Sequence, residues 1–197
     1  MRGLRIILWA LVAIALAALA YLMLRPVPEP TTDQAFTVAS IGGPFTLTGA
    51  DGKPFSSTRL AGKPYAIFFG FTHCPDVCPT TLARMTKLRN ELGAGETPFE
   101  ILFVTVDPER DGPAEVGKYA ELFNSPIVGL TGSPAEIEKV KSEFGVFSKK
   151  VPDGSGGYTV DHSATVLLFD RNGQFAATIA PEEGDGPALA KLKRITA

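Results

Sequence analysis

The apolar run Tyr65–Phe71 leads directly into Thr72-His73-Cys74-Pro75-Asp76-Val77-Cys78-Pro79, and this junction constrains the fold more than any other part of the chain. An apolar stretch of this length, closed by a turn, predicts a strand buried on both faces. Beyond the turn, Leu82, Met85, Leu88 and Leu92 recur at helical spacing and predict a helix over Thr80–Leu92. Each cysteine precedes a proline, a setting that disfavours the α region. Cys74 and Cys78 are therefore both expected outside the helix, with Pro79 opening it. The pair then lies on a turn at a helix N-terminus, where exposed N–H groups and the positive dipole end favour thiolate.

The rest of the chain alternates in the same way. Phe45–Thr48 reads as a strand, and Ala50-Asp51-Gly52 turns it into a short second one. Glu100–Val106 is a second buried strand, closed by Asp107-Pro108. Ala114–Phe123 predicts a helix and Ile127–Leu130 a short strand. Ser133 caps a helix over Pro134–Phe144, which carries Ile137, Val140 and Phe144 on one face. Thr165–Phe169 and Gln174–Ile179 are strands joined by Asp170-Arg171-Asn172-Gly173, a hairpin signal, and Pro187–Arg194 is a final helix. Strands alternating with helices imply an α/β fold, and the closing antiparallel hairpin makes its sheet mixed.

Ahead of this domain, Ile6–Leu24 is an unbroken apolar run of 19 residues between Arg5 and Arg25. At helical rise it spans roughly 28 Å, close to the hydrocarbon thickness of a bilayer. A cleaved leader is the alternative, since Ala18-Leu19-Ala20 resembles a cleavage site, but the run continues through Leu24. The expected organisation is an N-terminal transmembrane anchor over 1–25, a Pro-rich tether over 26–37, and a folded domain over 38–197. Arg2, Arg5 and the amino terminus predict an N-in orientation, which leaves the domain on the periplasmic or an equivalent extracytoplasmic side. With the three flanking arginines set aside, 16 basic side chains face 21 acidic ones, a net of −5. That balance argues against nucleic acid as a partner.

Compartment bears on the cysteines, the only two in the chain. Outside the cytoplasm a lone pair is usually a structural disulfide. Here it would close a loop too small to remove much chain entropy, so a reactive or metal-binding pair is the better reading. Neighbouring side chains on an extended segment point to opposite sides. His73 is therefore read as a packing or supporting residue rather than a co-ligand of Cys74. His162 precedes a late core strand, in a loop placed to face the cysteine turn; from position alone a structural role stays equally open. Were Cys74, Cys78 and His162 to converge, two thiolates and one imidazole would suit copper, above all Cu(I). Zinc would ask for a fourth ligand, such as water, Asp76 or Asp161. Iron–sulfur clusters need about four cysteines.

A strand, a cysteine turn and a helix in succession form a thioredoxin-like arrangement, although the spacing is CxxxC rather than CxxC. Residues Phe69–Leu82 resemble the signature of the Sco/SenC family of membrane-anchored copper proteins. The resemblance continues through Val106–Asp111, Gly129–Gly132 and Tyr158–Ser163 and covers the chain from about Ile41 to Phe175. Gly112 stands where family members often carry threonine. The resemblance implies a thioredoxin-like mixed sheet flanked by helices, with copper held by Cys74, Cys78 and His162. It also implies a metallochaperone role toward the binuclear copper site of cytochrome c oxidase subunit II, with a separate protein as copper donor. The stretch Val160–Ala164, which corresponds to the cis-proline loop of thioredoxins, has no proline and offers His162 instead. Two other readings remain. One is a thiol–disulfide oxidoreductase using Cys74 and Cys78 as a redox pair; the other is a peroxidase, for which these residues are an insufficient signature.

Overall fold

The strand expected at Tyr65–Phe71 lies at the centre of the sheet, between one parallel and one antiparallel neighbour. The computed structural model describes residues 41–93, 97–154 and 156–197, with positions 2, 3, 9, 10, 14, 16 and 21 of the N-terminal part. The chain divides into two units, Met1–Val38 and Ala39–Ala197. Most of Ile6–Leu24 and all of Pro26–Gln34 fall outside the described residues, and with them the expected anchor and tether. Among the described residues no helix is long and apolar enough to cross a membrane.

The second unit runs β1 (Thr46–Gly49), β2 (Pro54–Ser56), β3 (Tyr65–Gly70), α1 (Val77–Leu92), β4 (Glu100–Thr105), α2 (Pro113–Glu121) and β5 (Val128–Thr131). It continues with α3 (Pro134–Glu143), β6 (Ser148–Pro152), β7 (Tyr158–His162), β8 (Val166–Phe169), β9 (Phe175–Ile179) and α4 (Asp185–Thr196). Seven strands form one sheet in the order β2-β1-β5-β4-β3-β8-β9. Strands β3, β4 and β5 are parallel and the other pairings antiparallel, so the sheet is mixed, as the sequence pattern implied.

Side chains alternate across β3, and both faces are covered because every residue of that strand is apolar or glycine and buried. Phe69 points into a ring cluster with Phe144, which in turn meets Phe45 and Phe169 at centroid distances of 5.5–5.7 Å. Phe68 points the other way. It is in register with Phe103, whose ring lies 5.1 Å from Tyr119 of α2. Helix α1 covers this second face through Cys78, Leu82, Met85 and Leu88, all buried. Helix α3 starts where the sequence placed it: Ser133 and Glu136 form a reciprocal capping box, with Pro134 in the first turn.

Two local expectations are corrected. Cys78 is helical: α1 begins at Val77, after Asp76, and Pro79 is its third residue rather than its first. The rule for residues before proline is a preference. In the first helical turn the N–H that proline lacks has no intrahelical partner to lose. The first bond of the helix is accordingly Thr80 N–H to the Asp76 carbonyl, 3.1 Å. The second correction concerns His162, expected in a loop. It ends β7, which pairs with β6 in a separate two-stranded sheet from Ser148↔His162 to Pro152↔Tyr158.

The ring cluster sets the stability of the central layer. Phe144→Ala is expected to cost about 3–5 kcal/mol, read as a lowered denaturant midpoint. A loss below about 1 kcal/mol would show that Phe144 is not a keystone of this face.

Candidate metal centre

The topology brings two chain segments together at the carboxyl end of the central strand β3. Strand β3 ends at Gly70, and its antiparallel neighbour β8 begins at Val166, with Ile67 opposite Leu167. The segment leaving β3 and the segment entering β8 therefore emerge together. The first carries Cys74 and Cys78, and the second runs on from His162.

Cys78, second residue of α1, is fully buried. Gly70 makes the space: a Cβ there would stand 2.8 Å from the Cys78 sulfur. Cys74 lies in the turn ahead of the helix and is partly exposed. Its N–H donates to the Phe71 carbonyl at 3.2 Å, and its sulfur accepts from the Cys78 N–H at 3.4 Å. The sulfur of Cys78 is 3.4 Å from Nε2 of His162. Nδ1 of that ring is 3.0 Å from the Ser163 carbonyl, which only accepts. Nδ1 therefore carries the proton, and Nε2 presents a lone pair toward the sulfurs. The rings of Phe68 and Phe71 stand edge-on to the imidazole at 6.0 and 5.7 Å.

The ligand atoms of Cys74, Cys78 and His162 all lie within 4.8 Å of one another. Sulfur and nitrogen ligands bind metal at roughly 2.0–2.3 Å, so such atoms stand up to roughly 4.6 Å apart across a shared ion. The three donors fit one ion with small adjustment. No carboxylate joins them among the described residues: Asp76 instead accepts from the Thr80 hydroxyl at 3.3 Å, and Asp161 is exposed. His73 stays outside the cluster, as expected. Its Nδ1 lies 3.1 Å from the Thr72 hydroxyl and 3.6 Å from Asp111.

Burial governs the protonation of the two inner donors. It pushes the Cys78 thiol well above the usual thiol range, partly offset by a hydrogen bond to the Phe71 backbone and reinforced by the neighbouring Cys74 sulfur. It also lowers the His162 pKa, against the opposing effect of the Ser163 carbonyl. At neutral pH the metal-free centre thus presents a neutral imidazole and a protonated Cys78.

The loop after β4, expected to be a structural turn, contains two fully buried carboxylates. Asp111 accepts from the Thr72 N–H at 2.8 Å, the Thr72 hydroxyl at 2.6 Å and the Thr105 hydroxyl at 2.7 Å. Asp107 accepts from the Tyr158 hydroxyl at 2.9 Å and from Nε of Arg110. Nothing in the sequence pattern assigned a role to Arg110 or Tyr158. The available signal was the concentration of charge in Asp107–Asp111 just after a strand with a buried apolar centre, since unpaired charges are rarely buried.

A mixed sheet flanked by helices, with a Cys₂His cluster at the carboxyl end of its central strand, defines a thioredoxin-like protein with a candidate soft metal centre. The SCO1/SenC family model matches residues 33–197, and the chain belongs to that family. It is 39% identical over 135 residues to the mitochondrial SCO1 homolog 1 of Arabidopsis thaliana, covering 66% of this chain but only 40% of that relative's length. Among solved structures, copper-bound ScoI of Bradyrhizobium japonicum is similar at 44% identity and a TM-score of 0.72, over 79% of this chain and 99% of that one. BsSco is similar at 28% identity and a TM-score of 0.63, over 80% of this chain and 94% of that one. It is described as carrying a disulfide switch and as a member of the Sco family of cytochrome c oxidase assembly proteins.

Binding a soft ion must displace the Cys78 proton, whereas His162 is already neutral above its ordinary pKa of about 6.5. The apparent affinity for Cu(I) is therefore expected to rise from pH 6.5 to 8.5 with release of thiol protons, measured by chelator competition. An affinity flat across that window would exclude Cys78 as a thiolate donor.

Proposed function

We propose that this protein is a membrane-anchored copper metallochaperone that holds copper on Cys74, Cys78 and His162. It delivers the ion to the binuclear copper site of cytochrome c oxidase subunit II. The observation that carries the reading is the convergence of two sulfurs and one imidazole lone pair within 4.8 Å, with no carboxylate in the group. Such a set prefers copper, particularly Cu(I), to harder ions. Membership of the SCO1/SenC family, the copper in the similar Bradyrhizobium structure and the assembly role stated for BsSco support the same conclusion.

The burial gradient suits a carrier. Cys78 grips the ion from inside, while Cys74 meets solvent and an incoming ligand. A donor protein loads the ion and a partner removes it, in each case by stepwise replacement of thiolates and imidazole. Exchange with a partner disulfide converts the two thiols to a disulfide, reduces the partner's disulfide to two thiols and abolishes the binding set, which gates the cargo by redox state.

Residues 1–25 anchor the domain to the membrane with the N-terminus inside, and 26–37 lift it into the periplasm or equivalent space. The apolar run Ile6–Leu24 supports this, as do the exposed Trp9, Ile14, Leu16 and Tyr21, all helical. A second reading, reduction of the partner's copper-site cysteines, is favoured by the exposure of Cys74 beside a second thiol.

Cys74→Ser and Cys78→Ser are each expected to lose stoichiometric Cu(I) binding against a competing chelator; retention by either would exclude the three-ligand site. His162→Ala separates the two roles. It is expected to cripple copper loading and oxidase assembly while sparing thiol exchange. Full oxidase assembly in that variant would favour the reductase.

A further inference from the structure

The two halves of the metal centre rest on different supports. The cysteines sit where β3 meets α1, at the centre of the main sheet. His162 ends the β6–β7 hairpin, which among the described residues has no strand pairing with that sheet. The hairpin's own ladder and the Ser163–Phe147 hydrogen bonds hold it together. Val160 also packs into the main core, and the imidazole packs on Phe68 and Phe71, but apolar contacts are non-directional, and the directed contacts that set the hairpin's distance from the sulfurs come from elsewhere.

The loop Asp107–Asp111 reaches both halves. On one side, Asp111 binds the Thr72 N–H and hydroxyl, two residues before Cys74. On the other, Arg110 donates from Nε to Asp107 and from Nη1 to the Tyr158 carbonyl at 2.9 Å, and its guanidinium lies 3.8 Å over the Tyr158 ring. The Tyr158 hydroxyl closes the arrangement on Asp107 at 2.9 Å, and Lys150 of β6 pairs with Glu109 at 2.6 Å. Asp107 and Asp111 are both fully buried, and the loop is tied to the sheet through Thr105 and Thr131, whose hydroxyls donate to the Asp111 carboxylate and carbonyl at 2.7 Å.

We propose that this loop is a two-armed brace that sets the spacing between the sulfur pair and the imidazole, with Arg110 and Tyr158 as positioning residues that act on the metal through His162. Arg110 is suited to the task because one planar group makes two directed hydrogen bonds and stacks on a ring simultaneously; lysine keeps the charge but has no such fork. The hairpin lies outside the main ladder, so releasing this arm loosens the histidine without unfolding the sheet.

The proposal rests on the Cys₂His reading, and its test separates the two. In the metal-free full chain, Arg110→Lys and Tyr158→Phe are expected to speed hydrogen exchange across Ser148–His162 while leaving β3, β4 and α1 protected. Arg110→Lys is expected to weaken Cu(I) binding about 10-fold, the low end of what outer-shell partners usually cost. In the His162→Ala background the same substitution is expected to change affinity less than about 2-fold, since the arm then has nothing left to position. Unchanged hairpin exchange in both variants would overturn the brace. So would an Arg110→Lys loss that persists undiminished without His162, which would mark a direct electrostatic effect on the sulfurs. If His162→Ala itself binds Cu(I) like the parent, the ligand reading fails, and hairpin exchange in the metal-free chain still decides the brace.

Discussion

The pairing of β3 with β4 on one side and with β8 on the other fixes where the groups of the candidate metal centre emerge. The parallel register Gly70↔Thr105 carries the ends of two buried strands to the same edge, and the antiparallel register of β8 brings the entry to its own strand alongside. A one-residue slip in β3 would exchange its two faces. Gly70 would then turn away from Cys78, and a bulky ring would meet the sulfur. Hydrophobic burial on both faces makes that slip costly, so the packing of Phe68 and Phe69 is also what aims the thiol.

Around this apolar frame the molecule tolerates an expensive feature, two fully buried carboxylates within five residues. A buried carboxylate is stable only when its lone pairs are filled. Asp111 accepts three hydrogen bonds, from Thr72 and Thr105, while Asp107 accepts from Tyr158 and Arg110. Arg110 belongs to the loop itself; the other partners come from β4, the cysteine turn and the hairpin. The polar network therefore adds directed bonds between segments that the hydrophobic core already joins through Phe71, Val104 and Val160.

Much of this was legible in the sequence, for identifiable reasons. Strand β3 is an unbroken apolar run and β4 carries Ile101–Val104 as its apolar centre, α1 carries leucines and methionine at helical spacing, and Ser133-Pro134 announces α3. The features that stayed hidden depend on contacts between distant residues. The β6–β7 hairpin is mostly polar and half-exposed, and its tie to the loop joins Tyr158 to Asp107, 51 positions away. The helical state of Cys78 escaped a rule about its neighbour because the first turn forgives a missing donor. The three candidate donors were named, His162 on the strength of resemblance; position alone did not distinguish it from a structural histidine.

The contact between Gly70 and Cys78 yokes two positions that would otherwise drift independently. While the sulfur is present, no substituent at position 70 has room. Trimming the cysteine to alanine would lift the tightest restriction, leaving Phe103 and Phe68 each 3.0 Å from an added methyl. A lineage that abandoned the thiol would relax this glycine only in part. Regaining the thiol afterwards would mean reversing both changes, a ratchet written into the steric map of a single strand end.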